Sequence, residues 1–313
     1  MRSQLQERTL GAEHIVGLGG SSWKRRKLVL PWLFVLPALG LNLVVTIGPA
    51  VGAIYYSFTD WSGVGKATFV GLDNYRQMLQ SSSGFWSALA HNLLYMCFFL
   101  TVPMAMALLA SSLLAPIRRG AMLYRMGLFL PYVLPSVVTA FIWQSLMDPD
   151  LGLGSLIARW TGFRGLAQPF LGQPHTALPA IAFVDNWHWW GFLMVLFLTA
   201  MQGIPTDLYE TAKIEGASRW QEFWYVTLPG IRPTVAIMIL MTSIWSFLVF
   251  DYIWILTQGG PAGASEVLAT LVYKAAFQNF QAGYAAAIGL TMSLLAGVVI
   301  AIFVVLRWRG WEI

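Results

Sequence analysis

The side chains able to do chemistry are few, and their spacing excludes more than it permits. Histidine occurs as His14, His91, His175 and His188, and cysteine only as Cys97. No two histidines have the HExxH spacing that puts two imidazoles and a carboxylate on one helix face. A lone cysteine makes neither an intramolecular disulfide nor a CxxC site. No catalytic residue and no metal ligand is assigned, and an intramembrane protease is excluded. An ATPase would need the phosphate-cradling GxxxxGK[ST] loop. The nearest approach, Asp60 to Ala67 (DWSGVGKA), lacks the leading Gly and the final Ser/Thr. The chain is expected to bind no cofactor.

Ionisable groups inside apolar runs mark ion or solute paths. Asp185 and His188 stand one helical turn apart, and Asp251 lies in a later run. They leave an ion-gradient-driven secondary transporter open as the alternative function. No paired carboxylates support it, helix-end hydrogen bonding accounts for Asp251, and His91 reads as interfacial. Aromatic faces with adjacent polar groups also suit a sugar, whose ring faces stack while its hydroxyls need partners. Trp143-Gln144, the run Asp185, Asn186 and Trp189, and Phe250-Asp251-Tyr252 are the candidate path residues, with Gln144 and Asn186 the foremost polar contacts. Interfacial anchoring of helix ends explains any one of these aromatics equally well.

The elements that must position these groups are membrane helices. The 313 residues are 57% hydrophobic and 11% charged, against about 25% charged in soluble domains. The net charge is +5, but the basic residues flank apolar runs instead of forming a nucleic-acid patch. Six runs reach the roughly 20 residues a spanning helix needs: about 28–58, 88–114, 126–147, 177–202, 235–257 and 282–306. The fold class is therefore an all-α polytopic membrane protein with six transmembrane helices. A cleavage-site-like Ala50-Val51-Gly52-Ala53 follows the first run, but that run far exceeds a signal core of about 7–15 residues. A retained first helix is expected.

Lys and Arg set orientation. With both ends on one side, that side carries fourteen of them and the other five. Both termini are expected in the cytoplasm. The organisation is then a cytoplasmic tail at 1–27, a first helix at 28–58, an outer segment at 59–87, a membrane domain at 88–308 containing a cytoplasmic loop at 203–233, and a tail at 309–313.

That loop is the densest polar stretch between two apolar runs. Asp207 to Glu210 reads as one capping box and Ser218 to Gln221 as a second. Gly216 is a helix-ending corner. Trp220, Phe223, Trp224 and Thr227 recur at helical spacing until Leu228-Pro229 stops the helix. Two helices this short are not stable alone. They must lean on the protein, on a partner, or on both, so the loop reads as a docking element.

The stretch YETAKIEGASRWQEFWYVTLPGIRP resembles the signature loop of inner-membrane permeases of binding-protein-dependent ABC importers. Glu210, Ala212, Gly216, Ala217, Phe223, Leu228 and Pro229 fit the pattern; Thr211 and Glu215 are mild departures from Ala and Asp. FVGLDNYRQML, DNWHWWGFLMVLFLTAMQGIP and FDYIWILTQGGP are similar to the maltose- and glycerol-phosphate-type subfamily, and the likeness covers most of 28–308. The resemblance implies a type I ABC importer transmembrane fold in a bacterial or archaeal plasma membrane. It implies a second permease in a heterodimer, two cytoplasmic ATPase subunits carrying ATP and Mg, an extracytoplasmic binding protein, and a sugar-like solute. It also implies that the loop's first short helix is the coupling helix that docks on the ATPase.

Overall fold

The computed structural model describes residue 32 and residues 34–117 and 119–309, with the backbone alone at Arg164. The expected tail at 1–27 and residues 310–313 lie outside the described residues. The chain divides into two units, Met1–Tyr55 and Tyr56–Ile313. The first contributes a helix, α1, at Phe34–Tyr56, with mean hydropathy 1.9. A π-helical turn at Leu43–Ile47, closed by the Gly48 N–H on the Leu43 carbonyl, falls just before Pro49. Proline donates no hydrogen bond, and a widened turn absorbs that loss without ending the helix.

The second unit opens on a two-stranded ribbon, β1 at Thr59–Asp60 and β2 at Thr68–Phe69, antiparallel with Thr59 opposite Phe69. Helix α2 at Asp73–Leu79 follows. Its Asn74 is buried and its amide donates to the carbonyls of Ser57 and Thr59, both at 2.9 Å. Tyr75 adds a 2.8 Å bond from its hydroxyl to Ser57 Oγ. The NY of FVGLDNYRQML therefore ties this segment to the chain that precedes it.

The long helices are α3 at Phe85–Leu114, α4 at Ala121–Val133, α5 at Ser136–Leu146, a short α6 at Leu153–Thr161, and α7 at Pro174–Gln202. The polar loop holds α8 at Thr206–Ile214 and α9 at Arg219–Glu222. Then come α10 at Arg232–Leu248, α11 at Asp251–Leu256, α12 at Leu268–Tyr273 and α13 at Ala282–Trp308. Five described helices are long and apolar enough to cross a membrane, and the bent pair α4–α5 makes a sixth. The expected runs agree with these within a few residues, except that the start of the first lies outside the described residues.

The helices pack through small residues and apolar knobs. Ala107 of α3 lies fully buried with Leu193, Met194 and Phe197 of α7. Gly191 of α7 lets α4 approach so closely that a Cβ there would strike the Leu128 carbonyl. Gly283 plays the same part at the start of α13, against the Thr59 carbonyl, while its N–H donates to Trp61 O at 3.0 Å.

Two spans are broken. The expected run at 126–147 consists of α4 and α5 meeting at 95°. Pro135 explains it, since proline drives the preceding residue out of the helical region; Leu134 is extended. The other break, at Val249–Phe250, has no Pro or Gly to signal it. Side chains from neighbouring helices satisfy the freed backbone. His188 Nε2 donates to Leu134 O at 3.0 Å. The fully buried Asn92 donates its amide to Ser246 O at 2.7 Å and accepts the Leu268 N–H at 2.9 Å.

Asn92→Ala strands both Ser246 O and Leu268 N–H. Each unpaired buried group costs about 1–3 kcal/mol, so the variant should lose at least ~2 kcal/mol. The check is the denaturation midpoint of the detergent-solubilised protein against wild type and against half-buried Ser112→Ala.

Candidate functional site

The two breaks meet. Ser136, the first residue of α5, donates its hydroxyl to Asp251 Oδ2 at 2.9 Å, and Asp251 is the first residue of α11. Beside them a cleft of about 270 Å³ opens between α3, α7, α10 and α11. Its floor carries the Tyr95 hydroxyl donating to Asp185 Oδ2 at 2.5 Å. Trp189 stands edge-on to Trp245, ring centres 4.6 Å apart, and both line the cleft. Phe250 stacks on Trp254 at 5.6 Å, which holds the kinked turn. The hydroxyl of Thr242, itself 2% exposed, and the indole N–H of Trp189 are buried with no protein partner. Both residues line the cleft. Aromatic faces, two carboxyl groups and unfilled hydrogen-bonding groups together suit a solute with apolar faces and polar edges.

Of the path residues expected from sequence, Asp185, Trp189, Phe250, Asp251 and Tyr252 line this cleft. Trp143, Gln144 and Asn186 do not. Trp143 packs edge-on to Phe183 and Trp187 at 5.1 and 5.6 Å. Gln144 is exposed elsewhere on α5. Asn186 is buried one position round α7 from Asp185, and its amide reaches Met106 Sδ at 3.5 Å. One helical position rotates a side chain by about 100°, which takes Asn186 off the cleft face. Sequence reading missed Tyr95, Thr242, Trp245 and Ser246. They look like ordinary span residues, and only the approach of α3 and α10 to α7 shows their role. Asp185 and His188 do not act together: one bonds Tyr95 and the other the Leu134 carbonyl. His91 donates from its Nδ1 to Glu266 O at 2.7 Å.

The second candidate site is the polar loop. It is two short helices joined by a glycine corner, as expected. Gly216 has φ +79, and its N–H donates to Lys213 O at 3.0 Å while the Ala217 N–H donates to Ala212 O at 2.9 Å. These paired bonds are a Schellman cap, which requires the left-handed conformation glycine adopts freely. The Ser218–Gln221 capping box is present. The Asp207–Glu210 box is absent: α8 starts two residues earlier, behind Pro205, with no side-chain cap. Nor does Leu228-Pro229 stop the second helix. A π turn at Phe223–Thr227 leads into a helical turn at Leu228–Gly230, where Pro229 sits at a first-turn position that needs no N–H.

The loop faces outward. Glu210, Thr211, Glu215, Gly216 and Pro229 are exposed; Ala212, Ala217, Phe223 and Leu228 are half-buried. Ile214 at 86% and Tyr225 at 79% exposure leave large apolar surfaces uncovered. A groove of about 390 Å³ runs between α8 and the second helix, flanked by Glu215 and Glu222. Its base is anchored by Tyr209 Oη and Thr227 Oγ1 at 3.0 Å, by Ile204 pressed on Gly230, and by buried Ile231.

Residues 107–309 match the family model described as binding-protein-dependent transport system inner membrane component. The diacetylchitobiose uptake system permease protein of Streptomyces coelicolor is 35% identical over 93% of this chain and 87% of its own length. The multiple sugar-binding transport system permease protein of Streptococcus mutans is 31% identical over 86% and 91%. A probable ABC transporter permease protein of Bacillus subtilis is 33% identical over 85% and 92%. Among solved structures, a bacterial ABC transporter for import of the acidic polysaccharide alginate superposes with TM-score 0.83 at 24% identity, covering 93% of this chain and 99% of its own.

In a Cys97→Ser background, Trp245→Cys and Asp251→Cys should react with a small hydrophilic thiol reagent, while Asn186→Cys stays protected. Labelling rates followed by mass spectrometry check this; equal rates at all three positions contradict the cleft. Separately, Gly216→Val forces a β-branched residue into a left-handed conformation at a cost of roughly 1–2 kcal/mol. Amide exchange in 206–217 should then accelerate about tenfold with the spans unchanged.

Proposed function

Because the chain belongs to the family of binding-protein-dependent transport system inner membrane components, we propose that it is the permease subunit that carries a sugar or sugar-like solute inward and that its exposed loop couples this to a separate ATPase. It is an inner-membrane, multi-pass member of an ABC importer. The sugar class comes from the relatives' names and from the aromatic, acid-lined cleft; the ATPase coupling rests on the loop. The single observation carrying the coupling is that two capped short helices stand exposed between two spans, anchored at their base and apolar at their tip.

The proposed assembly has this chain as half of a heterodimeric path. Two ATPase subunits hold ATP and Mg on the cytoplasmic side, where both termini of this chain also lie. An extracytoplasmic binding protein delivers the solute. ATP brings the ATPase pair together, α8 moves with it, and the broken spans α4–α5 and α10–α11 transmit that motion to the cleft. Alternating access is then a shift between two states, with ATP and the loaded binding protein favouring one of them. Glu210 meets polar or basic ATPase groups, and Thr211, Ala212, Glu215, Ala217, Phe223, Leu228 and Pro229 shape the docking face around the Gly216 corner.

The test is co-purification in detergent with the importer's ATPase subunit. Wild type should retain it, and Glu210→Arg and Gly216→Pro should each lose most of it with normal membrane insertion. Equal recovery from all three proteins removes the docking role.

A further inference from the structure

Resting on the reading of the cleft as the solute path, we propose that this wall of it selects by charge, accepting neutral or amino sugars and rejecting uronic acids and sugar phosphates. Twelve residues line the cleft, and they include Asp185 and Asp251 but no Lys, Arg or His. His188, whose ring centre lies 5.9 Å from that of Tyr252, is turned to the Leu134 carbonyl.

One oxygen of each carboxyl group is engaged by the protein, through the hydroxyls of Tyr95 and Ser136. The remaining acceptor capacity faces the solute path. A sugar hydroxyl or an ammonium group donates to it. A uronate or phosphate has acceptors where donors are needed, and its charge is repelled wherever a carboxylate faces it. The ring faces of Trp189 and Trp245 act in the same direction, because an aromatic face attracts cations and disfavours anions.

The cleft is more than a pair of acids. The Thr242 hydroxyl is buried, lacks any protein partner and belongs to the same wall. Buried polar groups of this kind are normally satisfied, and a solute oxygen or hydroxyl supplies what the protein does not. Neutral polar partners and two carboxylates describe a wall for uncharged hydroxyls and amines.

The test is equilibrium dialysis of the assembled importer in detergent, without its binding protein, against labelled disaccharides. Neutral, amino and uronic-acid forms on both β-1,4- and α-1,4-linked glucose frames keep shape nearly constant while charge varies. On a frame that binds, the neutral and amino forms should bind at least about tenfold tighter than the uronic acid. Asp185→Asn and Asp251→Asn should each narrow that gap while the neutral form still binds, which also reports that the variant is folded. A uronic acid that binds as tightly as the neutral form, or a gap unchanged in both variants, overturns charge selection while leaving the cleft as a sugar site. Binding of none of the six sugars overturns the solute-path reading itself, and this inference with it.

Discussion

Inside a bilayer, every backbone N–H and C=O must find its partner within the protein. That constraint organises the rest of the structure. A continuous helix meets it alone, so each break needs an outside side chain. His188 covers the carbonyl freed at Leu134, and Asn92 covers the one at Ser246 while also receiving the Leu268 N–H. These are long-range bonds between helices, so the breaks are held by the same contacts that assemble α3, α7, α10 and α12. Non-helical backbone at membrane depth is tolerated where protein or a cavity surrounds it. Here the break between α10 and α11 lines the cleft, and Asp251 at that break accepts the hydroxyl of Ser136, the first residue of α5 after the other break.

The polar loop meets a different demand. It lies outside the spans and must hold two very short helices in shape without a core of its own. Local devices do this: the Schellman cap at Gly216, the capping box at Ser218 and the π turn before Pro229. Tyr209 with Thr227, and Ile204 against Gly230, tie the two arms of its base together, and Ile204 and Ile231 join the core cluster of α3 and α7. The result is two short helices held in shape by local bonds, with large apolar side chains left uncovered at Ile214 and Tyr225.

At the other end, the segment after α11 is fixed just as firmly. Glu266 pairs with Lys274, and Gly259 packs so tightly on the Glu266 carboxylate that no Cβ fits. His91 holds the Glu266 carbonyl from α3. A buried ion pair contributes less to stability than its Coulomb attraction suggests, because both charges lose hydration. Its value here is positional: it sets the course of the chain from α11 to α12, beside the cleft.

Much of the molecule was legible in the residues alone. Long apolar runs with basic flanks determine the spans, since no other structure hides so many apolar side chains and pairs its own backbone. The Gly216 corner and the Ser218 box are local, encoded in four or five adjacent residues, and they form as expected. Pro135 could have announced the first break, because its effect on Leu134 is steric and immediate. The break at Val249–Phe250 has no such signature. It exists because Asn92, more than 150 residues away in sequence, compensates the freed carbonyl. The same holds for the cleft. Asp185 and Asn186 are neighbours in sequence, yet one lines the cleft and the other is buried beside Met106. Composition determined that aromatic and acidic groups would occur together. Which of them share a wall was decided by how α3 and α10 pack against α7, since helix rotation is fixed by packing and by nothing within a single helix.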